Sequence, residues 1–129
     1  KLSPTKKEIK DLIFAWNVVK IVKSNGIVIV QNMKTIGIGS GQPSRIDSSK
    51  IAISKALKVS TTNNKIKLKN AVMASDAFFP FSDGIEEALA NGINAIVQPG
   101  GSIRDDQVIE LADQKKVSMV FTGIRSFKH

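Results

Sequence analysis

Short apolar segments recur along the later half of the chain, and each is separated from the next by a turn and a helix-like segment. These apolar segments are residues 71–75, 95–97 and 117–121, and helices are expected between them at about 82–91 and 104–115. Segments this short fit buried strands, and strands that alternate with helices form parallel βαβ units. The later half therefore predicts a parallel sheet with its connecting helices.

The earlier half has a different order of elements. Residues 1–23 carry apolar side chains at three- and four-residue intervals, and Thr5 with Glu8 forms a capping box, so an amphipathic helix is predicted. Residues 27–30 and 35–39 are apolar segments on either side of a turn, which predicts a β-hairpin. A helix followed by a hairpin adds antiparallel strands to the sheet.

A glycine-rich turn over residues 39–45 leads from this hairpin into a helix predicted at 45–57, which Ser44 can cap. Free backbone N–H groups at such a turn suit an anion or the polar edge of a ligand. The spacing fits neither a Walker loop nor a dinucleotide fingerprint. Residues 58–70 are polar, and we expect a surface loop there.

These elements together predict a single α/β domain, a three-layer α/β/α sandwich with a mixed sheet that is parallel in its later strands. A chain of 129 residues is long enough to bury one core. Ligands of such sheets collect at the carboxyl ends of strands. Periodicity does not decide which of the predicted loops share one edge.

The composition excludes several kinds of site. The chain has no Cys and no Tyr, and its single His is the last residue, so disulfides, thiolate metal sites and a Cys nucleophile are excluded. General acid-base chemistry must come from Lys, Asp or Glu, or from outside this chain. No apolar run is long enough for a membrane span or a signal peptide, so we expect an intracellular protein without a membrane partner.

The net charge of +8 raises the question of nucleic-acid binding. Only three of the nineteen basic residues are Arg, and the lysines are scattered over predicted helix faces and loops. Solvated lysines explain this charge, and we expect no nucleic-acid partner. RNA binding stays an alternative, and it predicts an affinity that falls steeply with salt.

The sequence Ser-Asp-Ala-Phe-Phe-Pro-Phe over residues 75–81 holds half of the six phenylalanines of the chain. Side chains on both sides of a proline cannot all face inward from one strand. Two interpretations are open: a hydrophobic plug under a strand-to-helix turn, or the wall of a ligand site whose rings stack on a flat heterocycle.

Five segments together resemble the C-terminal part of AICAR transformylase, the formyltransferase activity of the bifunctional purine-biosynthesis enzymes that also carry IMP cyclohydrolase activity. The resemblance runs from about Thr5 to the end of the chain, in the order and spacing of the family. The segments that carry it are residues 23–25, 37–45, 74–81, 98–105 and 121–129.

The resemblance implies transfer of the formyl group of 10-formyltetrahydrofolate to the 5-amino group of AICAR ribonucleotide, in a cytoplasmic homodimer. It implies that residues 1–129 are the second of two halves with a cytidine deaminase-like fold, and that the first half and the cyclohydrolase domain lie upstream. Zinc is not expected, since its ligands are missing. The Lys-His pair of the family also lies upstream, so we expect the chain alone to be inactive.

The resemblance also assigns the site residues. Asn25 is implied to contact the carboxamide of AICAR and to help place the attacking amine, which makes it the one residue with a catalytic assignment. The nucleotide-binding residues implied are Asn25, Arg45, Phe78 and Arg125. The folate-binding residues implied are Ile46, Pro80, Phe81 and Asp83, whereas Phe79 is expected in the core.

A potassium ion is further implied at Asp76 and at the backbone carbonyls of Ser126 and Lys128. The dipeptide Lys128-His129 has the same residues as the family's Lys-His pair, but it is not that pair. It forms the last two residues of this sequence, whereas the resemblance places the family's pair upstream. A hypothesis from another class is a non-catalytic nucleotide-binding or regulatory module.

Overall fold

The computed structural model describes residues 3–60, 66–78, 83–101, 103 and 105–123, with the backbone alone at 83 and 84. Within these ranges helices and strands follow one another in the predicted order. Their bounds are α1 (Lys6–Val19), β1 (Ile27–Gln31), β2 (Lys34–Gly39), α2 (Arg45–Val59), β3 (Val72–Ser75), α3 (Asp83–Ala90), β4 (Ala95–Gln98), α4 (Asp105–Gln114) and β5 (Ser118–Phe121).

The strands form one mixed sheet in the order β2-β1-β3-β4-β5. Strand β1 is antiparallel to both of its neighbours, β2 and β3. Strands β3, β4 and β5 are parallel to one another. The prediction of a mixed sheet with parallel later strands is confirmed, because a hairpin joins antiparallel strands whereas helical crossovers join parallel ones.

The strand register brings one end of each of the five strands to the same side of the sheet. Ile27 at the start of β1 lies opposite Gly39 at the end of β2 and Ser75 at the end of β3. Gln98 at the end of β4 lies opposite Phe121 at the end of β5. We call this side, marked by these five residues, the carboxyl edge. The loops that sequence alone could not group therefore meet there.

Helices cover both faces of the sheet, so the predicted three layers are confirmed. Helix α1 packs on one face against β1, β3 and β4, and helices α2, α3 and α4 pack on the other. Side chains that alternate along each strand serve the two faces in turn. The fully buried members of the two cores include Val28, Val72 and Ala95 under α1 and Ile29, Met73 and Ile96 under the other helices.

Helix α1 is shorter than the predicted span of residues 1–23. Its capping box is confirmed, since Glu8 N donates to Thr5 Oγ1 and Thr5 N donates to Glu8 Oε1. The helix ends at Val19, and Ile21 beyond it is 72% exposed. The apolar spacing in the sequence continues beyond Val19, because such spacing does not show where the helical hydrogen bonds stop.

A two-residue turn closes the hairpin between β1 and β2. Asn32 and Met33 both have positive φ, at 53° and 61°, which is the backbone of the tight hairpin turns that match strand twist. The backbone N–H of Met33 donates to the buried carboxylate of Asp11 at 2.9 Å. The turn is thereby tied to α1.

The predicted surface loop at 58–70 is wrong in part. Helix α2 continues to Val59, and Leu68 is fully buried in the core. Ile66 and Leu68 both alternate with lysines, yet Ile66 is 49% exposed, so the local pattern did not show which apolar side chain is buried. Residues 61–65 lie outside the described ranges. None of the helices in those ranges combines the length and hydropathy that a bilayer crossing requires.

Candidate functional site

The carboxylate of Asp76, directly after β3, is the centre of a partly buried polar cluster at the carboxyl edge. Its Oδ2 accepts from Ser24 Oγ at 2.6 Å and from the backbone N–H of Gly26 at 3.0 Å. Its Oδ1 accepts from Arg45 Nη2 at 2.9 Å. Asp76 is itself fully buried. We call Asp76, Ser24, Gly26 and Arg45 the Asp76 cluster.

The cluster forms because the segment before β1 and the segment after β3 run side by side. Asp76 N donates to Gly26 O at 3.2 Å, which extends the pairing of the two strands by one step. A Cβ atom at Gly26 would lie 3.1 Å from Asp76 Oδ2 and 3.4 Å from Val19. Glycine at this position therefore lets the carboxylate approach the backbone closely enough to accept its N–H.

Asn25 lies between the two members of the cluster that precede β1. Its Nδ2 donates to the backbone carbonyl of Gln42 at 2.9 Å, and its own backbone carbonyl accepts from Ser48 Oγ at 2.6 Å. Gln42 belongs to the glycine-rich turn and Ser48 to helix α2. Two separate parts of the chain therefore hold Asn25 at the carboxyl edge.

Arg45 is the first residue of helix α2. Ser44 caps the helix as predicted, with the backbone N–H of Asp47 donating to Ser44 Oγ at 3.1 Å. The Arg45 side chain is 19% exposed, and its Nε is buried with no partner among the described residues. The guanidinium is thus held at the carboxyl edge with donor capacity left over.

Close packing of β2 on α2 sets the position of this helix start. A Cβ atom at Gly39 would lie 1.8 Å from the backbone oxygen of Ser48, so only glycine allows the approach. Ile46, the predicted folate contact, follows Arg45 and is 37% exposed. An exposed apolar side chain beside a charged one suits a ligand with an apolar part, and the folate assignment stays a prediction.

The Phe-rich turn is described only in its first ring. Phe78 is partly buried and packs against the core under α2, α3 and α4, three residues along from the strand end at Ser75. Its position fits both the plug and the wall. Phe79, Pro80 and Phe81 lie outside the described residues, as does the side chain of Asp83, whose backbone begins α3.

A second glycine-rich turn lies at the same edge after β4. Gly100 and Gly101 have φ values of 72° and 87°, and Gly101 N donates to Asp105 Oδ2 at 2.8 Å at the start of α4. Gly123 N donates to Pro99 O at 2.8 Å, so the chain leaving β5 passes this turn. Arg125, Ser126 and Lys128 follow directly and lie outside the described residues.

The implied potassium ion stays a prediction, because Ser126 and Lys128 lie outside the described residues. Asp76 is the only predicted ligand in the described ranges, and three donors already occupy its two oxygens. A cation would compete there with the Arg45 guanidinium. Nor do the described ranges contain a group of three or more His, Cys, Asp or Glu side chains that could hold a metal ion. No step is therefore derived through a metal.

Sequence reasoning missed Ser24, Gly26 and Ser48. Ser24 and Gly26 were interpreted as part of a helix-breaking turn, which describes their backbone but not their contacts. Ser48 is buried inside α2, where serine is disfavoured unless its hydroxyl has a partner. A polar residue on the apolar side of a predicted helix was thus the one available signal.

The larger grooves in the described part of the chain lie away from this cluster. One of about 180 Å³ runs beside α1 and has apolar walls that include Ile13, Trp16 and Val120. Another of about 360 Å³ lies between β2 and the end of α2. Neither is lined by a member of the Asp76 cluster or by a predicted site residue.

Sequence comparisons match the resemblance found in the motifs. The model of the AICARFT/IMPCHase bienzyme family matches residues 1–55. The bifunctional purine biosynthesis protein PurH of Pelodictyon phaeoclathratiforme is 55% identical over 129 residues, which are 100% of this chain and 24% of that protein. PurH of Chlorobaculum parvum is 54% identical over the same shares of both chains. The chain thus spans about a quarter of the length of these curated relatives.

Structural comparisons support the fold alone. A diaminohydroxyphosphoribosylaminopyrimidine deaminase/5-amino-6-(5-phosphoribosylamino)uracil reductase from Thermotoga maritima has a TM-score of 0.52 and 16% identity, over 89% of this chain and 35% of that one. Acinetobacter baumannii RibD has a TM-score of 0.51 and 14% identity, over 89% and 33%. The predicted cytidine deaminase-like α/β fold is confirmed.

Proposed function

Because this chain belongs to the AICARFT/IMPCHase bienzyme family, we propose that it forms one side of a formyltransferase site. The site would move the formyl group of 10-formyltetrahydrofolate to the 5-amino group of AICAR ribonucleotide and give FAICAR. The parent protein would be a cytoplasmic homodimer of purine biosynthesis. The chain alone would be inactive, since it would supply only part of the site.

One observation carries this proposal: Asn25 and Arg45 converge at the carboxyl edge, where the Phe-rich turn begins. They come from the segment before β1 and from the start of α2, twenty residues apart. The Asp76 carboxylate binds Arg45 directly and binds the residues on both sides of Asn25. An amide, a guanidinium and an aromatic ring are the groups that a charged heterocyclic ligand needs.

Each group would take a separate part of the substrates. The Asn25 amide would meet the carboxamide and the amine of AICAR, and the Phe78 ring would line the same part of the site. Arg45 and Arg125 would bind anionic groups, because a guanidinium presents several donors in a fixed plane. Ile46, Pro80 and Phe81 would contact the folate, and Asp83 would accept from its N–H groups.

The reaction needs orientation more than covalent help from this chain. The lone pair of the AICAR amine attacks the formyl carbon, a C–N bond forms, and the bond from that carbon to N10 of the folate breaks. The amine loses one proton and N10 of the folate gains one. The residues of this chain would hold the amine and the formyl carbon in line, which is worth a large part of the barrier when the geometry is exact. Proton transfer would belong to the Lys-His pair that the family resemblance places upstream.

The test uses the full-length polypeptide that carries this chain. We expect Asn25→Ala and Arg125→Ala each to weaken AICAR ribonucleotide binding about tenfold or more in calorimetry, since each removes a hydrogen-bonding group from the ligand. Lys115→Ala is the matched control, because this half-exposed lysine follows α4 at its far end and pairs with Glu86.

Unchanged binding in both site variants would refute the assignment of the site. Binding of AICAR ribonucleotide without any formyl transfer by the full-length protein would favour the non-catalytic nucleotide-binding module instead. Affinity for RNA that falls with salt and is insensitive to AICAR ribonucleotide would favour nucleic-acid binding.

A further inference from the structure

Ser48 is a buried serine in the first turns of α2 whose hydroxyl leaves its own helix. A serine inside a helix can bond back to the carbonyl four residues earlier, which here belongs to Ser44. The Ser48 hydroxyl instead donates at 2.6 Å to the backbone carbonyl of Asn25, twenty-three residues away. Ser48 is fully buried and its bond to the half-buried Asn25 is partly shielded from water, so loss of the hydroxyl removes the donor to this carbonyl.

The neighbouring strand prevents Ser48 from shifting. Its backbone oxygen lies so close to Gly39 of β2 that a Cβ atom there would come within 1.8 Å. A side chain on a helix packed this tightly against a strand has little freedom to move. The Ser48 hydroxyl is therefore a fixed donor, and Asn25 is placed relative to it.

The contacts of Asn25 leave its side-chain oxygen open. Its backbone carbonyl is held by Ser48, the next backbone N–H is held by Asp76, and Nδ2 is held by the carbonyl of Gln42. Within the described residues no donor reaches Oδ1 of Asn25. Since Nδ2 must face the carbonyl that it donates to, the orientation of the amide is decided, and Oδ1 is presented as an acceptor for an N–H group.

We propose that Ser48 is a positioning residue, which holds Asn25 so that Oδ1 accepts an N–H of the AICAR amine or carboxamide. The proposal rests on the proposed function, because it concerns the orientation of the same ligand. Ser48 does not touch the substrate and acts only through Asn25. Its removal should lower turnover while the affinity for the folate stays the same.

The experiment is a double-mutant cycle in the full-length protein, with formyl transfer as the readout. We expect Ser48→Ala to lower kcat about five- to tenfold, with an unchanged KM for 10-formyltetrahydrofolate, as for the loss of one partly buried hydrogen bond. In the Asn25→Ala background the same change should have no further effect. The matched control is Ser60→Ala at the far end of α2, whose hydroxyl also donates to a backbone carbonyl, that of Lys67.

Each result decides the proposal. A kcat of Ser48→Ala equal to that of Ser60→Ala would overturn it, and so would an undiminished effect of Ser48→Ala in the Asn25→Ala background. If Ser48→Ala does not fold, Ser48→Cys takes its place, since a thiol is a weaker donor of similar size; we then expect a two- to threefold loss of kcat that vanishes with Asn25→Ala. An inactive wild-type protein would instead refute the proposed function.

Discussion

A partly buried polar cluster lies at each end of strand β1, and the two clusters differ in the charge of their bonded groups. At the carboxyl edge the Asp76 cluster joins a carboxylate to a guanidinium, a hydroxyl and a backbone N–H. At the other edge Gln31 donates to the carbonyls of Lys67 and Lys69 and accepts from Ser60 Oγ, and we call these four residues the Gln31 cluster.

The difference lies in the charge of the bonded groups and in what each cluster costs to bury. The bonded groups of the Gln31 cluster are neutral, since Lys67 and Lys69 take part only through their backbone carbonyls. These bonds satisfy the backbone of the segment that leads to β3, as a loop that crosses the end of a sheet requires. The Asp76 cluster costs more to bury because it contains an ion pair, and such pairs contribute little net stability. A protein keeps such a cluster more readily where the guanidinium and the neighbouring amide have a ligand to bind.

The comparison predicts its largest effect at Asp76. Replacement by Ala removes the acceptor of three donors and leaves the partly buried Arg45 charge without its partner. We expect the free energy of unfolding to fall by about 3 to 5 kcal/mol. Urea unfolding of the chain, followed by the fluorescence of the single Trp16, measures this loss.

Asp76→Asn is the control for this variant. It keeps the size and one acceptor but loses the charge, so its loss should be smaller. If Asp76→Ala lowers the free energy of unfolding no more than Gln31→Ala does, the distinction between the two clusters is wrong.

An intermediate effect is expected at Arg45. Arg45→Ala leaves Asp76 with its hydrogen bonds from Ser24 and Gly26, so the carboxylate is still partly satisfied. We expect a loss of about 2 to 3 kcal/mol in the same urea experiment, as for a hydrogen bond to a charged group. In the full-length protein this variant should also weaken AICAR ribonucleotide binding, and stable protein with intact binding would remove Arg45 from the site.

The smallest effect belongs to the neutral cluster. Gln31→Ala removes hydrogen bonds to two backbone carbonyls and to Ser60, and we expect a loss of about 1 to 2 kcal/mol. Ligand binding by the full-length protein should not change, because the cluster lies at the edge opposite the site. Calorimetry with AICAR ribonucleotide checks this. A loss of affinity comparable to that of Arg45→Ala would show that the two clusters do not differ in their effect on ligand binding.

Much of the fold was predictable from local patterns. The capping box at Thr5, the helix cap at Ser44 and the tight turn before Lys34 all depend on neighbours within a few residues. Such features were visible because helix caps and turns are local hydrogen-bond problems. The end of α1 and the burial of Leu68 were not, since they depend on what packs against each segment.

The candidate site was predictable to a different degree. Asn25, Arg45 and Phe78 were assigned by resemblance alone, and the structure places each at the carboxyl edge. Ser48 and Gly26 were not predicted, because their roles depend on contacts with residues far away in the chain that the sequence does not reveal. A serine is assigned a positioning role only when its hydroxyl is seen to leave its own helix.

The sequence by itself determined the kinds of element, their order and the mixed character of the sheet, because these follow from apolar periodicity and turn chemistry along the chain. Only the tertiary structure decided which loops meet. The register of Ile27 with both Gly39 and Ser75 brings the segment before β1, the glycine-rich turn and Asp76 to one edge. Strand register depends on contacts between residues far apart in the chain, and local patterns carry no information about them.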